Sequence, residues 1–265
     1  MRARFAAAAA TYDEAAVLAR EVGRRMLERL DLMRLKPGRL ADIGCATGDG
    51  IRTLKARYPA ALPLAIDYAP QMLAALGRRA PLIERLRRRA PRRVAADVRA
   101  LPLADGALDL AWSNMMLHWL DDLRPALCEL QRVLSEGGLL MFSALGPDTL
   151  RELRAAGATT LWRFHDMHDL GDMLLAAGFA DPVMEMERIV LTYASPRGLL
   201  RDQRLLGVRD GLLGAMGFRQ ARRVFRAWQR QEGRLPATFE IVYGHAWKAA
   251  PRRAGAPRAI VRFGR

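Results

Sequence analysis

The sequence predicts an α/β fold: a doubly wound, seven-stranded mixed sheet with helices on both faces. Five strands run parallel, a final pair is antiparallel, and a helical insert precedes the last strand. Three observations predict it. From Leu40 onward, short apolar runs alternate with amphipathic stretches, the rhythm of βαβ units. A glycine-rich turn, Asp42-Ile-Gly44-Cys-Ala46-Thr-Gly48-Asp-Gly50, joins the first apolar run to a helical stretch. The last two apolar runs have no crossover helix of ordinary length between them, only a long, mostly helical segment over 195–236.

The elements follow in order. Residues 14–35 carry Val17, Leu18, Val22, Met26, Leu27 and Leu30 near helical spacing and end at Pro37-Gly38, which predicts a leading helix. Strand one is expected over 39–44, with a helix after the glycine turn that stops before Pro59. Strand two is expected over 62–67 and its helix over 70–79, strand three over 93–97 and strand four over 108–113. A helix over 123–134, stopped by Gly137-Gly138, leads to strand five over 139–145. A helix over 169–177 ends at Gly178, and strands over 183–193 and 238–247 complete the sheet. No internal repeat is visible. The chain thus divides into an N-terminal helical segment (1–38), the main domain (39–250) with its insert (195–236), and a basic tail (251–265) of little periodicity.

Composition narrows the function. The 265 residues suffice for a full core, and 51% apolar with 27% charged residues is ordinary globular usage. No apolar run approaches the roughly 18–20 residues that span a bilayer, which argues against membrane insertion. The basic, Ala-rich start has an apolar run only from Phe5 to Ala10 before Tyr12-Asp13-Glu14, which argues against a secretory signal. Two cysteines, Cys45 and Cys128, make no disulfide framework and fit a reducing cytoplasm. The charge is the unusual quantity: 43 basic residues against 28 acidic give +15, with an isoelectric point near 11.1. All but Lys36, Lys55 and Lys248 of the basic residues are arginine, a ratio that GC-rich codons alone explain. The net charge favours an acidic partner: nucleic acid, an anionic membrane surface or an acidic protein.

The turn after strand one suits a nucleotide-like cofactor, since glycines admit close approach and the helix start offers free N–H groups. Asp67 ends strand two, nineteen residues after Gly48, where a carboxylate accepts the two hydroxyls of an adenosine ribose. Asp42, two positions before the first glycine, suits a cationic methionine end better than a pyrophosphate. Asp97, at the end of strand three, is placed for the adenine amino group. These three acids favour S-adenosylmethionine over a nicotinamide dinucleotide. Gly44, Cys45, Ala46, Thr47 and Gly48 of the turn, Tyr68, Met72 and Val98 beside the acids, and Ser113 and Asn114 at the carboxyl edge of strand four complete the expected cofactor set. Ala46 stands where such loops commonly have a middle glycine. The four histidines give no strong metal signature; His165-x-x-His168 reads as a helix-start contact, and no metal is expected.

These residues resemble the class I S-adenosylmethionine-dependent methyltransferases, which are Rossmann-like, and within them the malonyl-acyl-carrier-protein O-methyltransferases of biotin synthesis. DIGCATGDG (42–50), IDYAPQML (66–73) and AADVRALPL (95–103), with Thr11-Tyr12-Asp13, carry the superfamily resemblance. DLAWSNMMLHWLDDL (109–123), LLMFSALGPDTLRELR (139–154), HDMHDLGDMLLAAGF (165–179) and LPATFEIVYGHAW (235–247) carry the branch resemblance. The resemblance implies methyl transfer to the free carboxylate of a malonyl thioester, on acyl-carrier protein or coenzyme A, early in pimeloyl and biotin synthesis. It also admits a second reading, because the late motifs occur in relatives that assemble a respiratory complex, where the fold is understood to hydroxylate an arginine. A methyltransferase for another small carboxylate is a third.

The resemblance makes the segment around Tyr12 a lid over the cofactor; Tyr12 otherwise is a surface ring. His118 and Trp119 follow strand four and are candidates for the substrate cavity, Trp119 being equally a core residue. Arg151, just after strand five, is the candidate for the substrate carboxylate. The stretch 197–234 carries ten arginines against three acidic residues, and 78–93 carries eight against Glu84. Each reads either as a solvated face or as a docking surface for the acidic carrier protein. The absence of interleaved aromatics or a recognised module weighs against nucleic acid.

Overall fold

A computed structural model describes residues 2–79 and 90–249. The basic tail, and residues 80–89 of the arginine cluster over 78–93, lie outside the described residues. Seven strands form one sheet in the order β3-β2-β1-β4-β5-β7-β6. They are β1 (Arg39–Ile43), β2 (Leu62–Asp67), β3 (Arg92–Ala95), β4 (Leu108–Ser113), β5 (Leu134–Leu145), β6 (Phe179–Tyr193) and β7 (Leu235–Lys248). Strands β3 to β5 pair in parallel, and β7 runs antiparallel between β5 and β6.

Alternation along the central strands builds two cores, because successive side chains point to opposite faces. Leu40, Leu110, Trp112, Leu139 and Met141 enter one core, while Ala41, Leu108, Ala111, Leu140 and Phe142 enter the other. Helix α3 (Val17–Asp31) buries Leu18, Val22, Met26 and Leu30 in the first. Helix α6 (Arg124–Val133) buries Leu127 and Leu130, and α8 (Met167–Ala176) buries Leu170 and Leu174, in the second. The remaining helices are α1 (Arg2–Ala8), α2 (Tyr12–Ala15), α4 (Asp49–Arg57), α5 (Pro70–Arg79), α7 (Arg151–Ala155), α9 (Pro196–Leu205), α10 (Arg209–Leu212) and α11 (Phe218–Ala227).

Several sequence expectations change. The single helix over 14–35 is two, α2 and α3, broken at Ala16, where ψ of 26° leaves the helical well. The Ala-rich start, assigned no helix from sequence, is α1. Strand β3 lies one residue earlier at its start and ends at Ala95, so Asp97 sits in the turn beyond it. Strand β5 begins at Leu134 rather than 139, its first residue pairing with Leu108 before an irregularity. Strand β6 begins at Phe179 because a bulge, with Asp181 at φ 49° before Pro182, interrupts the ladder between Ala180 and Val183 without ending it. Strand β7 begins at Leu235; there it pairs with β6 alone, so the missing N–H of Pro236 leaves no second ladder incomplete.

The insert is helical, as expected, and is part of the domain's core rather than an appendage. Leu199, Leu212, Leu213, Val224 and Trp228 are buried in the first core, and Trp228 Nε1 donates to Pro236 O at 2.8 Å. The N-terminal segment meets it: Thr11 Oγ1 donates to Leu205 O at 3.1 Å. The chain order reverses between β1 and β4, which opens a crevice at the carboxyl ends of those strands.

Candidate cofactor and substrate site

The turn after β1 is fixed by its own backbone. The Gly44 and Cys45 N–H groups donate to Ile66 O at 2.8 and 3.0 Å, and Gly48 N–H to Cys45 O at 2.8 Å. Gly44 sits at φ 78°, and a Cβ there would lie 2.3 Å from Met116 Cγ, so only glycine fits. Ala46 occupies the left-handed region at φ 45°, the position where a glycine would be unstrained. Its N–H donates to Asp67 Oδ2 at 2.9 Å, and Ala69 N–H donates to Asp67 Oδ1 at 2.8 Å. Asp67 is therefore locked in place while each oxygen keeps a further lone pair. Burial raises its pKa, against those two backbone donors.

A cavity of about 340 Å³ opens over this turn, at the switch point between β1 and β4. On the cofactor side it is lined by Gly44, Ala46, Asp67, Met72, Asp97 and Val98. Tyr12, Asn114, His118 and Trp119 line it further on, and the insert contributes Gln203, Leu206 and Leu212. A smaller cavity of about 60 Å³ adjoins it, bounded by Tyr12, Asp13, Asp42, Cys45, Thr47 and Asn114.

The acids differ in environment. Asp42 is 2% exposed, and burial, aided by the Asp67 and Asp49 charges and opposed by the Ile51 N–H, pushes its pKa up to about 7. Asp97 is paired with Arg99, Oδ2 to Nη2 at 2.6 Å, which lowers its pKa. Tyr12 is half-buried at the start of α2, and desolvation together with Asp67 and Asp42 pushes its phenol up to about 12, so it stays neutral. Asp13, beside it, contacts Thr47 Oγ1 and so ties the N-terminal segment to the glycine turn. Asn114 does the same at the end of β4: its Nδ2 donates to Ala19 O and its Oδ1 accepts from Ser143 Oγ, both at 2.8 Å.

Not every expected residue reaches the cavities. Ser113 is buried with its Oγ donating to Ile43 O at 3.0 Å, which fastens β4 to β1. Gly48, at φ 91°, shapes the start of α4 without lining either cavity. Arg151 does not line them: it starts α7 with an exposed guanidinium, 3.7 Å from Glu152, and cannot be placed on a substrate there. Trp119 is half-buried, lines the cavity and meets Phe5 edge-on at 6.2 Å. His165 precedes α8 and His168 lies exposed in its first turn, whose cap is Asp166, accepting from His168 N at 2.7 Å. Gln203 was missed from sequence, although a polar residue between Leu199 and Leu206 on an apolar helix face was a readable signal.

The donor set fits S-adenosylmethionine: a buried acid beside the small cavity, a locked carboxylate at the end of β2, and apolar Met72 and Val98 walls next to Asp97. Comparison with known proteins agrees. A methyltransferase-domain family matches residues 41–142. The YcgJ protein of Bacillus subtilis has the same fold, with a TM-score of 0.60 at 14% identity, over 85% of this chain and 98% of that one. The malonyl-acyl-carrier-protein O-methyltransferase of Laribacter hongkongensis is 50% identical over 95% of this chain and 90% of its own length. The chain belongs to the malonyl-acyl-carrier-protein O-methyltransferase family. The homologue of that name in Gallionella capsiferriformans is 48% identical over 95% of this chain and 91% of its own length. S-adenosylmethionine is the cofactor of this methyltransferase. Among the described residues no group of three or more metal-ligating side chains converges, and no helix is long and apolar enough to cross a membrane.

Proposed function

We propose that this methyltransferase methylates the free carboxylate of a malonyl group carried on acyl-carrier protein, masking its charge early in pimeloyl and biotin synthesis. The observation that carries the reading is identity over nearly the whole length, insert included, to enzymes named for that reaction. S-adenosylmethionine, when bound, supplies a methyl group already activated by a positive sulfur. The chain's own work is positioning. A malonyl carboxylate is ionised at neutral pH, so no general base is needed, and alignment at roughly 3–3.5 Å with water excluded supplies the acceleration. Asp42, Asp67 and Asp97 would hold the methionine, ribose and adenine ends. The segment 1–38 acts as a lid, since α2, α3 and the insert helix α9 together close the cavity, held by the Asp13–Thr47 and Thr11–Leu205 contacts.

The carrier protein docks on the insert. On α11, Arg219, Arg222, Arg223 and Arg226 recur at i, i+3, i+4 and i+7 and are all exposed, while Val224 on the other face is buried. Such a stripe suits an acidic protein and raises its encounter rate. The two cysteines are both free thiols, which suits the reducing cytoplasm where this step belongs. Complementation tests the reading: the gene should restore growth without biotin to a strain lacking this methylation step. Failure by a well-expressed, S-adenosylmethionine-binding protein would contradict it.

A further inference from the structure

Among the described residues, three buried side-chain polar atoms have no hydrogen-bond partner: Trp112 Nε1, His118 Nε2 and Gln203 Oε1. His118 and Gln203 both line the large cavity. The two are 6% and 3% exposed, and they come from elements 85 positions apart in the chain, the turn after β4 and the insert helix α9.

The hydrogen bonding of His118 fixes its tautomer. Its Nδ1 accepts the Leu145 N–H at 3.2 Å, so Nδ1 carries the lone pair and a neutral ring bears its proton on Nε2. Burial, with no acidic group beside it to oppose the effect, pushes the imidazole pKa down to about 3, so the ring is neutral at any physiological pH. Trp119, centroid to centroid 4.6 Å, and Phe164, edge-on at 5.5 Å, hold the ring's orientation. Nε2–H is thus an oriented donor, shut off from solvent and lacking an acceptor, on a residue that lines the cavity. Gln203 offers a terminal amide whose oxygen and nitrogen exchange by a half-turn, so it too can present a donor.

Resting on the methyltransferase reading above, we propose that His118 Nε2–H donates to the malonyl carboxylate and that the Gln203 amide holds the second carbonyl group of the same malonyl thioester. The carboxylate is thereby recognised by neutral groups rather than by an ion pair. Of the cationic side chains at the cavity, Arg99 is paired with Asp97, and Arg2 lies over the Tyr68 ring at 5.2 Å, next to Asp67. Chemistry favours this arrangement. An arginine gripping the carboxylate would stabilise its negative charge and blunt it as a nucleophile, whereas a neutral donor orients it and leaves the charge in a desolvated site. It also gives selectivity, because an acetyl thioester leaves the His118 donor unpaired.

The test compares malonyl-acyl-carrier protein as substrate with acetyl-acyl-carrier protein as a competitive inhibitor. His118→Leu should raise KM for the malonyl substrate roughly ten-fold or more, the loss of a hydrogen bond to a charged group. It should leave the inhibition constant of the acetyl analogue nearly unchanged. His118→Gln, which restores an N–H donor, should recover most of the malonyl KM, and Gln203→Leu should raise it without disturbing His118. Calorimetry with S-adenosylhomocysteine checks that each variant still binds the cofactor product. Equal weakening of malonyl and acetyl ligands, an unchanged malonyl KM, or a Gln variant no better than Leu would overturn the proposal. If His118→Leu does not fold, Gln203→Leu and His118→Gln still decide it: an unchanged malonyl KM in Gln203→Leu, or loss of malonyl preference in His118→Gln, overturns it. A parent protein that methylates no malonyl thioester would instead refute the functional reading, leaving the two failures distinguishable.

Discussion

In the proposed site Asp42 should make cofactor binding pH-dependent, in a direction that follows from its burial. Its carboxyl is buried and its pKa stands at about 7 in the free protein. If it faces the ammonium of the methionine end, the ionised form is the one that binds, and the nearby cation draws the pKa back down. Below neutrality, binding must therefore expel a proton, and affinity falls as pH falls. Between about pH 7 and about pH 5.5 the ionised fraction drops from about one half to about 3%, so affinity for S-adenosylhomocysteine should weaken about fifteen-fold. The ligand's own amino group stays protonated across that window, since such groups titrate near ~8. Isothermal titration in buffers of differing ionisation enthalpy reads both quantities: affinity, and release of nearly one proton at the acid end. Asp42→Asn should bind more weakly at neutral pH and lose most of the pH dependence, which separates Asp42 from the also-elevated Asp67. A flat profile in the parent protein, or an equal slope in Asp42→Asn, would refute the placement of Asp42 on the cation.

Other outcomes are equally specific. Ala46→Gly should raise unfolding stability by about 1 kcal/mol, because φ 45° costs an L-residue that much; urea titration reads it. Reversing Arg222, Arg223 and Arg226 to Glu should raise KM for malonyl-acyl-carrier protein several-fold while sparing malonyl-coenzyme A, and added salt should mimic the change, since it shortens the reach of the attraction below the about 8 Å of physiological ionic strength. Equal loss on both substrates would mark a collapsed lid instead. Chelators should leave turnover intact, because a carboxylate nucleophile requires neither metal nor base; activity restored by one metal would refute that chemistry.

The parts of the fold that sequence shows are those whose periodicity matches their burial. Strands β1, β2 and β4 are short, mostly apolar runs inside the sheet, so their bounds read almost directly from the residues. The ends of β6 and β7 do not, because Pro182 and Pro236 look like strand breakers until the bulge and the one-sided pairing are seen. The break at Ala16 is similarly silent, since alanine favours helix and only the observed ψ of 26° departs from it. In the site, acids and glycines were legible because their spacing is local: Asp42, Gly44 and Asp67 fall where βα geometry puts them. Arg151 misled because a cation near a strand end is plausible in sequence, yet the chain turns into α7 with that side chain outward. Gln203 was readable as a polar residue on an apolar face, but its place at the cavity was not, because the insert's return there depends on contacts nearly two hundred residues apart, such as Thr11 with Leu205.

One measurement bears most directly on the reaction itself. The purified protein is incubated with S-adenosylmethionine and malonyl-acyl-carrier protein, with acetyl-acyl-carrier protein in a parallel tube, and the intact carriers are weighed by mass spectrometry. The malonyl carrier should gain one methyl group, in step with formation of S-adenosylhomocysteine, and the acetyl carrier none. A malonyl carrier that gains no methyl group, or an acetyl carrier methylated equally well, would contradict carboxylate methylation by this enzyme.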